Sequence, residues 1–140
     1  MDERICYFFS FLIEGLVFWN YVSILFVPKY STKIRFVCLS SGFFILFLSS
    51  LHNVFLLNCI LYTTVCFLYL IFLYKTSWYY ALFHSLLFEV LTGACELPVY
   101  SFLSTFLTSA SLRAADFHLK LLFAVMSKTL FFAVMSVLLL

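Results

Sequence analysis

The stretch Tyr79–Leu107 reads YYALFHSLLFEVLTGACELPVYSFLSTFL, and it decides the fold because it places two carboxylates inside an apolar run long enough to cross a bilayer. Polar residues recur along it every three or four positions, the spacing of one helix face: Ser85, Glu89, Thr92, Gly93, Glu96, Tyr100 and Ser104. An ionised carboxylate inside hydrocarbon costs several kcal/mol unless it is paired or protonated. The polar stripe of this helix is therefore the first place to look for function.

The composition of the whole chain is that of an integral membrane protein. Of its 140 residues, 66% are hydrophobic, 22% are aromatic and only 10% are charged, and the mean hydropathy is +1.15. A soluble domain of this size needs a more charged exterior. The net charge of +2 does not indicate a nucleic-acid partner, because the basic residues lie at segment ends, where they orient helices. The lipid bilayer is the partner that the composition predicts.

The apolar runs predict an all-α bundle of about five transmembrane helices that form a single membrane domain. The approximate spans are residues 5–27, 34–51, 54–74, 79–107 and 119–140. Lys29, Lys33 and Arg35 follow the first span, and Lys75 follows the third. The positive-inside rule places these basic connections in the cytoplasm. The N-terminus is then expected outside and the C-terminus inside.

Two further expectations concern the membrane surface. Lys33 and Arg35 are expected to snorkel to the interface, so that the second span can lengthen by recruiting Ile34. Tyr74 and the run Trp78–Tyr80 are expected to form an interfacial aromatic belt. The chain ends on VLLL without a flanking charge, which is typical of a fragment of a longer protein.

The strongest candidate for a functional contact is an intramembrane ion pair between Glu96 and Lys128. Each lies about ten residues, or roughly 15 Å of helix, from the outer connection between the fourth and fifth spans. Neighbouring antiparallel helices would bring the two side chains to one depth. Two interpretations stay open: a ligand-responsive switch in the bundle core, or a static lock between two helices.

The other intramembrane polar residues outnumber the available cations. Lys128 alone is available for three carboxylates, so at least one glutamate is expected to be protonated and hydrogen-bonded to Asn20, Asn58 or a serine. The three carboxylates are Glu14, Glu89 and Glu96, and Ser127 precedes the lysine. The same carboxylates allow an alternative function, a small proton-coupled transporter. A non-catalytic membrane assembly subunit is a further alternative.

The sequence predicts no catalytic residue, no metal site and no cofactor for this chain. The five cysteines lie in apolar runs without a CxxC pair, and no histidine stands at metal-ligand spacing from two of them. His52 and Cys59 are seven residues apart, a spacing similar to that of the membrane cysteine protease that processes bacterial peptide pheromones, but that family's flanking glycine pair is absent. A turn residue and a core cysteine explain the two positions better than catalysis.

From residue 74 to residue 96 the chain resembles the membrane sensor region of accessory-gene-regulator-type histidine kinases, whose full-length members carry a GHKL-type ATPase domain. In that family a span ends in a Tyr-Lys-Gly-Ser-like turn, the next span carries a Ser and then a Ser-Glu pair, and a later span carries a Ser before a basic residue. The corresponding residues here are Tyr74–Ser77, Ser85, Cys95–Glu96 and Ser127–Lys128. The chain departs from the pattern at Thr76, where Gly is usual, and at Trp78–Tyr80, where basic residues are usual.

The resemblance implies a transmembrane sensor module of a two-component, quorum-sensing-type system in the bacterial cytoplasmic (inner) membrane. Such a module receives an extracellular peptide and relays a conformational change to a cytoplasmic kinase domain, which is absent from this chain. The resemblance also implies a homodimer. Because the chain has neither a phosphoacceptor helix nor a nucleotide-binding motif, the chain itself is expected to be non-catalytic.

Overall fold

A computed structural model describes residues 3–51, 54–106 and 117–138, and these ranges form five helices. The helices are α1 (Glu3–Leu25), α2 (Thr32–Ser50), α3 (Phe55–Leu73), α4 (Trp78–Phe106) and α5 (Phe117–Leu138). The predicted all-α bundle is confirmed. His52 and most of the predicted outer connection before α5 lie outside the described residues.

Four of the helices are long and apolar enough to cross a membrane. The qualifying segments are Phe8–Leu25, Thr32–Ser50, Leu56–Leu73 and Trp78–Phe102, and the described apolar part of α5, Leu122–Leu138, is shorter. Large apolar side chains cover the outer surface of the bundle, as Leu56 and Leu97 illustrate at 69% and 68% exposure. A surface of this kind suits hydrocarbon, so the chain is a multi-pass membrane protein.

The helices form a closed ring in chain order. Each helix packs against its neighbours in sequence, and α5 packs against α1 as well as against α4. Short connections favour this order, since they join antiparallel neighbours. The closure places the polar residues of α5 between those of the first and fourth helices.

An aromatic core centred on Phe88 of α4 fills the ring. The Phe88 side chain is fully buried, and its ring centroid lies 4.9 Å from that of Phe18 on α1 and 5.1 Å from that of Phe131 on α5. Phe88 also stacks on Tyr62 of α3, which in turn meets Phe43 of α2 edge-on. Aromatic pairs in such geometries contribute about 0.5–1.5 kcal/mol each beyond their buried area. One aromatic cluster therefore contacts all five helices.

The close approach of α2 to α3 depends on Gly42. A Cβ atom at this position would lie 2.8 Å from Cγ1 of Val65, which is too close for two carbon atoms. Small residues allow such approaches between membrane helices. Gly93 on α4 is different, because nothing lies within 4 Å of its Cβ position.

The α1–α2 and α3–α4 connections meet at one end of the bundle. An isolated antiparallel β-bridge joins Pro28 to Tyr74. Its two hydrogen bonds, both 2.9 Å long, run from the Lys29 amide to the Leu73 carbonyl and from the Lys75 amide to the Val27 carbonyl. The basic connections that carry Lys29 and Lys75 therefore lie on the same side of the membrane, which is the cytoplasmic side by the positive-inside prediction.

The position of Arg35 differs from the prediction. Because α2 begins at Thr32, both Lys33 and Arg35 belong to its first turns and point in different directions. Lys33 is exposed, whereas Arg35 is only 8% exposed and lies inside the bundle. The expectation that Arg35 snorkels to the surface is wrong, because aromatic side chains enclose it. Tyr74 is likewise fully buried and is not part of a lipid-facing belt.

Candidate functional site: an intramembrane ionic cluster

An ionic cluster of three side chains joins α1, α4 and α5. Nζ of Lys128 on α5 lies 2.6 Å from Oε1 of Glu96 on α4 and 2.5 Å from Oε1 of Glu14 on α1. The predicted contact between Glu96 and Lys128 is present. Glu14, for which the sequence indicated no specific partner, contacts the same ammonium group. We call Glu14, Glu96 and Lys128 the ionic cluster.

Regular helix spacing places the ionic cluster directly beside the aromatic core. Lys128 precedes Phe131 by three residues and Glu14 precedes Phe18 by four, so each charged side chain shares an inward helix face with a core aromatic. Ser127 is also buried, and its hydroxyl donates to the Ala124 carbonyl of its own helix. Lys128 faces the interior of the bundle. At a lipid-facing position of α5, its ammonium group would instead have to extend to the membrane surface.

The two carboxylates of the ionic cluster differ in access. The side chains of Lys128 and Glu14 are 3% and 7% exposed, whereas that of Glu96 is 42% exposed. The contact with Glu14 therefore lies in the bundle interior, and the contact with Glu96 lies at its edge. In such an interior the attraction between the charges is stronger than in water, and the penalty for leaving one unpaired is larger.

One ammonium group serves two carboxylates, so the cluster carries a net charge of −1 when both glutamates are ionised. The hydroxyl of Tyr62 on α3 interacts electrostatically with Glu14. That hydroxyl is buried and forms no hydrogen bond of regular geometry within the described residues. Tyr62 therefore holds a spare donor beside Glu14.

Glu89 belongs to a separate site between α3 and α4. The hydroxyl of Thr63 on α3 donates to its Oε2 atom. Thr63 was not among the partners predicted for an unpaired glutamate, which were Asn20, Asn58 or a serine; Asn20 is exposed, and Asn58 accepts a hydrogen bond from Ser49 at 3.0 Å. Thr63 was missed because depth in the membrane does not reveal which face of α3 turns toward α4.

The polar stripe of α4 does not form one site. Ser85 and Thr92 each donate a hydroxyl hydrogen bond to a carbonyl of their own helix. Tyr100 is exposed, and its ring meets a phenylalanine of α5 edge-on. Glu89 and Glu96 are seven residues apart, which is about 10 Å along the helix axis. The stripe divides into intrahelical hydrogen bonds and two carboxylate sites with different partners.

Arg35 occupies a second buried polar site, which the sequence reasoning missed. Its guanidinium carbon lies 5.0 Å from the ring centroid of Trp19 and 5.3 Å from that of Tyr74, within the range of cation–π attraction. It donates to the Tyr74 hydroxyl at 2.8 Å and to the Thr32 hydroxyl at 3.3 Å. Nε of Arg35 has no hydrogen-bond partner within the described residues. The nearby Trp and Tyr residues were the available signal, but we assigned Tyr74 to the membrane surface.

The histidine and cysteine residues with described side chains form no metal site. Within those residues no group of three or more His, Cys, Asp and Glu side chains could hold a metal ion. The Tyr21 hydroxyl and Nδ1 of His84 share a hydrogen bond of 2.5 Å that joins α1 to α4. His84 is thus a packing contact between helices.

The basic residues predicted to set topology fall into two groups. Lys29, Lys33 and Lys75 are exposed, and Nζ of Lys29 also donates a hydrogen bond to the Ile71 carbonyl near the end of α3. Arg35 is enclosed, as described above. All four residues lie at the end of the bundle where the two short connections meet.

Comparison with protein-family models, with curated proteins and with solved structures finds no match for this chain.

Proposed function

We propose that this chain is the transmembrane sensor module of a peptide-responsive histidine kinase and that the ionic cluster is its switch. One observation carries the proposal: a single buried cation contacts carboxylates on two different helices. A relay needs two helix arrangements that a ligand binds with different affinity. Lys128 offers α5 two alternative partners, Glu14 on α1 and Glu96 on α4.

In each pairing the carboxylate that Lys128 leaves has an alternative to an unpaired buried charge. When Lys128 pairs with Glu14 alone, Glu96 lies at the edge of the bundle and can avoid an unpaired charge by taking up a proton. When Lys128 pairs with Glu96 alone, Glu14 can accept a hydrogen bond from the spare hydroxyl of Tyr62. Neither arrangement leaves a buried carboxylate without a partner, which would cost several kcal/mol. A ligand then changes the populations of the two arrangements by as much as its affinities for them differ.

The residues that carry the family resemblance also support the proposal. Tyr74, Ser85, Cys95, Ser127 and Lys128 are each at most 4% exposed. In a close-packed interior, such side chains decide how neighbouring helices fit together. Five of the nine residues that carry the resemblance are thus buried where they can set the helix arrangement, as a conformational relay requires, whereas Lys75, Thr76, Ser77 and Glu96 are not buried.

The remaining parts of the proposal follow from the resemblance alone. They are an extracellular peptide ligand, a homodimer, a cytoplasmic kinase domain outside these 140 residues and a location in the bacterial cytoplasmic membrane.

A chimera tests the proposed function. Residues 1–140 are joined through α5 to a histidine kinase region that lacks its own membrane segments, and autophosphorylation is measured in membrane vesicles. Glu14→Gln favours the pairing with α4, and Glu96→Gln favours the pairing with α1. We expect the two variants to shift basal activity in opposite directions, each by about fivefold or more. A peptide fraction of culture medium should change the activity of the parent chimera.

Glu89→Gln is the matched control for this experiment, because it makes the same chemical change on α4 outside the ionic cluster. Its basal activity should equal that of the parent chimera. If Glu14→Gln and Glu96→Gln instead shift activity in the same direction, or not at all, the cluster is a static lock and the switch is excluded.

Glu89 favours a second candidate function, a proton-coupled transporter. It is an intramembrane carboxylate that lies outside the ionic cluster and accepts a hydrogen bond from Thr63. Such carboxylates serve proton relays in transporters. Proton flux into vesicles that contain the purified chain, lost in Glu89→Gln and retained in Glu96→Gln, would favour this function over the sensor.

A further inference from the structure

An apolar groove runs between α1 and α2 on the outside of the bundle. It has a volume of about 620 Å³, and exposed side chains of Leu12, Leu16, Phe36 and Phe44 line it together with Gly15 at its base. From Phe36 to Phe47 along α2 it extends over eleven helical steps, which is roughly 16 Å of helix. This length is about half of the hydrocarbon thickness of a bilayer. The groove therefore matches one acyl chain in one leaflet.

The N-terminal turn of α2 carries positive charge without a counter-ion. The chain has no Asp or Glu between Glu14 and Glu89, and Arg35 forms no ion pair within the described residues. The Arg35 side chain is more than nine-tenths buried, reaches the first turn through its bond to Thr32, and keeps Nε unpaired. Lys33 stands exposed on the same turn. Burial of an uncompensated charge calls for an anion nearby.

The backbone at the start of α2 adds to the positive electrostatic potential of this turn. Ser31 precedes α2 but makes no side-chain hydrogen bond to the first amides of the helix. Free amides and the helix dipole at such a terminus favour a phosphate group. The guanidinium group of Arg35 supplies the fixed positive charge beside them.

The charged turn and the groove adjoin each other. Trp19 lies beneath the guanidinium group of Arg35 at 5.0 Å and also meets the ring of Phe36 edge-on at 6.1 Å. Phe36 lines the groove and directly follows Arg35 in the chain. An amphipathic molecule can therefore contact both features at once, with its charged group at the turn and its apolar part in the groove.

We propose that a phospholipid with an anionic headgroup binds here, with its phosphate at Lys33 and the first amides of α2, close to the buried charge of Arg35, and with one acyl chain between α1 and α2. A peptide is a poor occupant, because serines supply the only polar side chains of the lining, and Ser41 already donates to the Cys38 carbonyl. A helix of a second copy would cover the groove but would leave the charge of Arg35 unpaired. Anionic lipids are also enriched in the cytoplasmic leaflet, where these basic residues are predicted to lie.

Quenching of Trp19 fluorescence tests the proposal in the full chain. The chain contains two tryptophans, so Trp78→Phe leaves Trp19 as the only one. This variant is placed in lipid nanodiscs of phosphatidylcholine that contain a small fraction of a lipid brominated near the headgroup end of its acyl chains. We expect brominated phosphatidylglycerol to quench more than brominated phosphatidylcholine or brominated diacylglycerol at equal fraction. Equal quenching by the three lipids would overturn the proposal.

Matched variants separate a specific site from general attraction to a basic surface. Lys33→Ala should lower the preference for phosphatidylglycerol about fivefold, the effect expected for one basic residue near an anionic headgroup. Lys75→Ala removes the same charge from the other connection at this end and should leave the preference unchanged. Equal losses in both variants would mean that no specific site exists.

A variant of the groove provides an independent measurement. Ser40 is exposed and lines the groove, so Ser40→Phe should fill the groove without disturbing the core and should reduce quenching by phosphatidylglycerol. Unchanged quenching would show that no acyl chain enters the groove.

Two further outcomes identify a different occupant. If inorganic phosphate, at constant ionic strength, abolishes the preference for phosphatidylglycerol, the turn binds a free anion. If quenching falls as the number of chains per nanodisc rises, a second copy covers the groove. Either result contradicts the lipid site, and the expected result is that neither change occurs.

Discussion

At the residue scale, Lys128 is the side chain that compensates the negative charge of the ionic cluster. Among the residues with described side chains it is the only basic group that contacts both Glu14 and Glu96, and it is almost fully buried. Lys128→Met removes the cation from two carboxylates, whereas Glu96→Gln leaves the interior pair with Glu14 in place. We therefore expect Lys128→Met to lower the free energy of unfolding by about 3–5 kcal/mol and Glu96→Gln by much less. Unfolding in mixed detergent micelles measures both values, and equal losses would contradict the geometry.

A charge exchange between Glu96 and Lys128 tests whether the cluster has three members. The double variant Glu96→Lys with Lys128→Glu restores one ion pair, but the new carboxylate at position 128 then faces Glu14. We expect the double variant to recover only part of the stability lost in Lys128→Glu. Adding Glu14→Gln should recover more, because the repulsion is removed. If the third substitution brings no gain, Glu14 is not part of the cluster.

The contact between Glu96 and Lys128 could be predicted from the sequence, because both residues lie at one depth on helices joined by a single connection. Glu14 could not be assigned to it in the same way. Depth alone does not show that α5 also packs against α1. Arg35 was misplaced for a related reason: the positive-inside rule indicates the side of the membrane, but it does not indicate whether a side chain is enclosed.

At the element scale, the packing of α2 against α3 depends on the absence of a side chain at Gly42. Gly42→Ala would bring a carbon atom within 2.8 Å of the Val65 side chain, and the β-branched valine has little freedom to move away. We expect a loss of about 1–3 kcal/mol in the free energy of unfolding, the usual cost of overpacking. Detergent unfolding followed by circular dichroism provides the measurement.

Gly93→Ala is the control for this prediction. It makes the same chemical change within a helix, but nothing lies within 4 Å of the new carbon atom. Since alanine has the higher helix propensity, this variant should be neutral or more stable by up to about 1 kcal/mol. A loss in Gly93→Ala equal to that in Gly42→Ala would show that helix contacts do not explain either result.

The positions of the helices could be predicted from the sequence, but the side of each helix that faces the core could not. Length and hydropathy are sufficient to identify an apolar segment that crosses a bilayer. In a membrane protein the lipid-facing and core-facing sides are both apolar, so hydrophobic periodicity does not indicate which side turns inward. Phe88 at the centre of the core and Leu97 in lipid are both large apolar residues of α4.

At the scale of the whole molecule, the two short connections must lie on the same side of the membrane. Single cysteines at Tyr30 and Ser77, in a background without the five native cysteines, should react with a membrane-impermeant thiol reagent from one side. By the positive-inside rule that side is the cytoplasm. The bridge between the connections would be contradicted if the two cysteines were labelled from opposite sides.

The predicted outer connection provides the complementary measurement of topology. A cysteine at Ser111 should react from the side opposite to a cysteine at Thr32. Three helices, α2, α3 and α4, lie between these two positions. Because an odd number of crossings separates them, the two positions must lie on opposite sides of the membrane. Labelling of both positions from the same side would overturn the number of crossings.

The backbone bridge between Pro28 and Tyr74 limits how the bundle can deform. Two main-chain hydrogen bonds tie the α1–α2 hairpin to the α3–α4 hairpin, so four helices share one fixed end. α5 takes no part in this bridge, and in the described residues its contacts with α1 and α4 are contacts of packed side chains and the ionic cluster. Among the described helices, α5 is therefore the one that this bridge does not restrain, and α5 can tilt as one rod while the bridge stays intact. Under the proposed function, a peptide would need to displace only α5 to change the signal that reaches the cytoplasmic kinase domain.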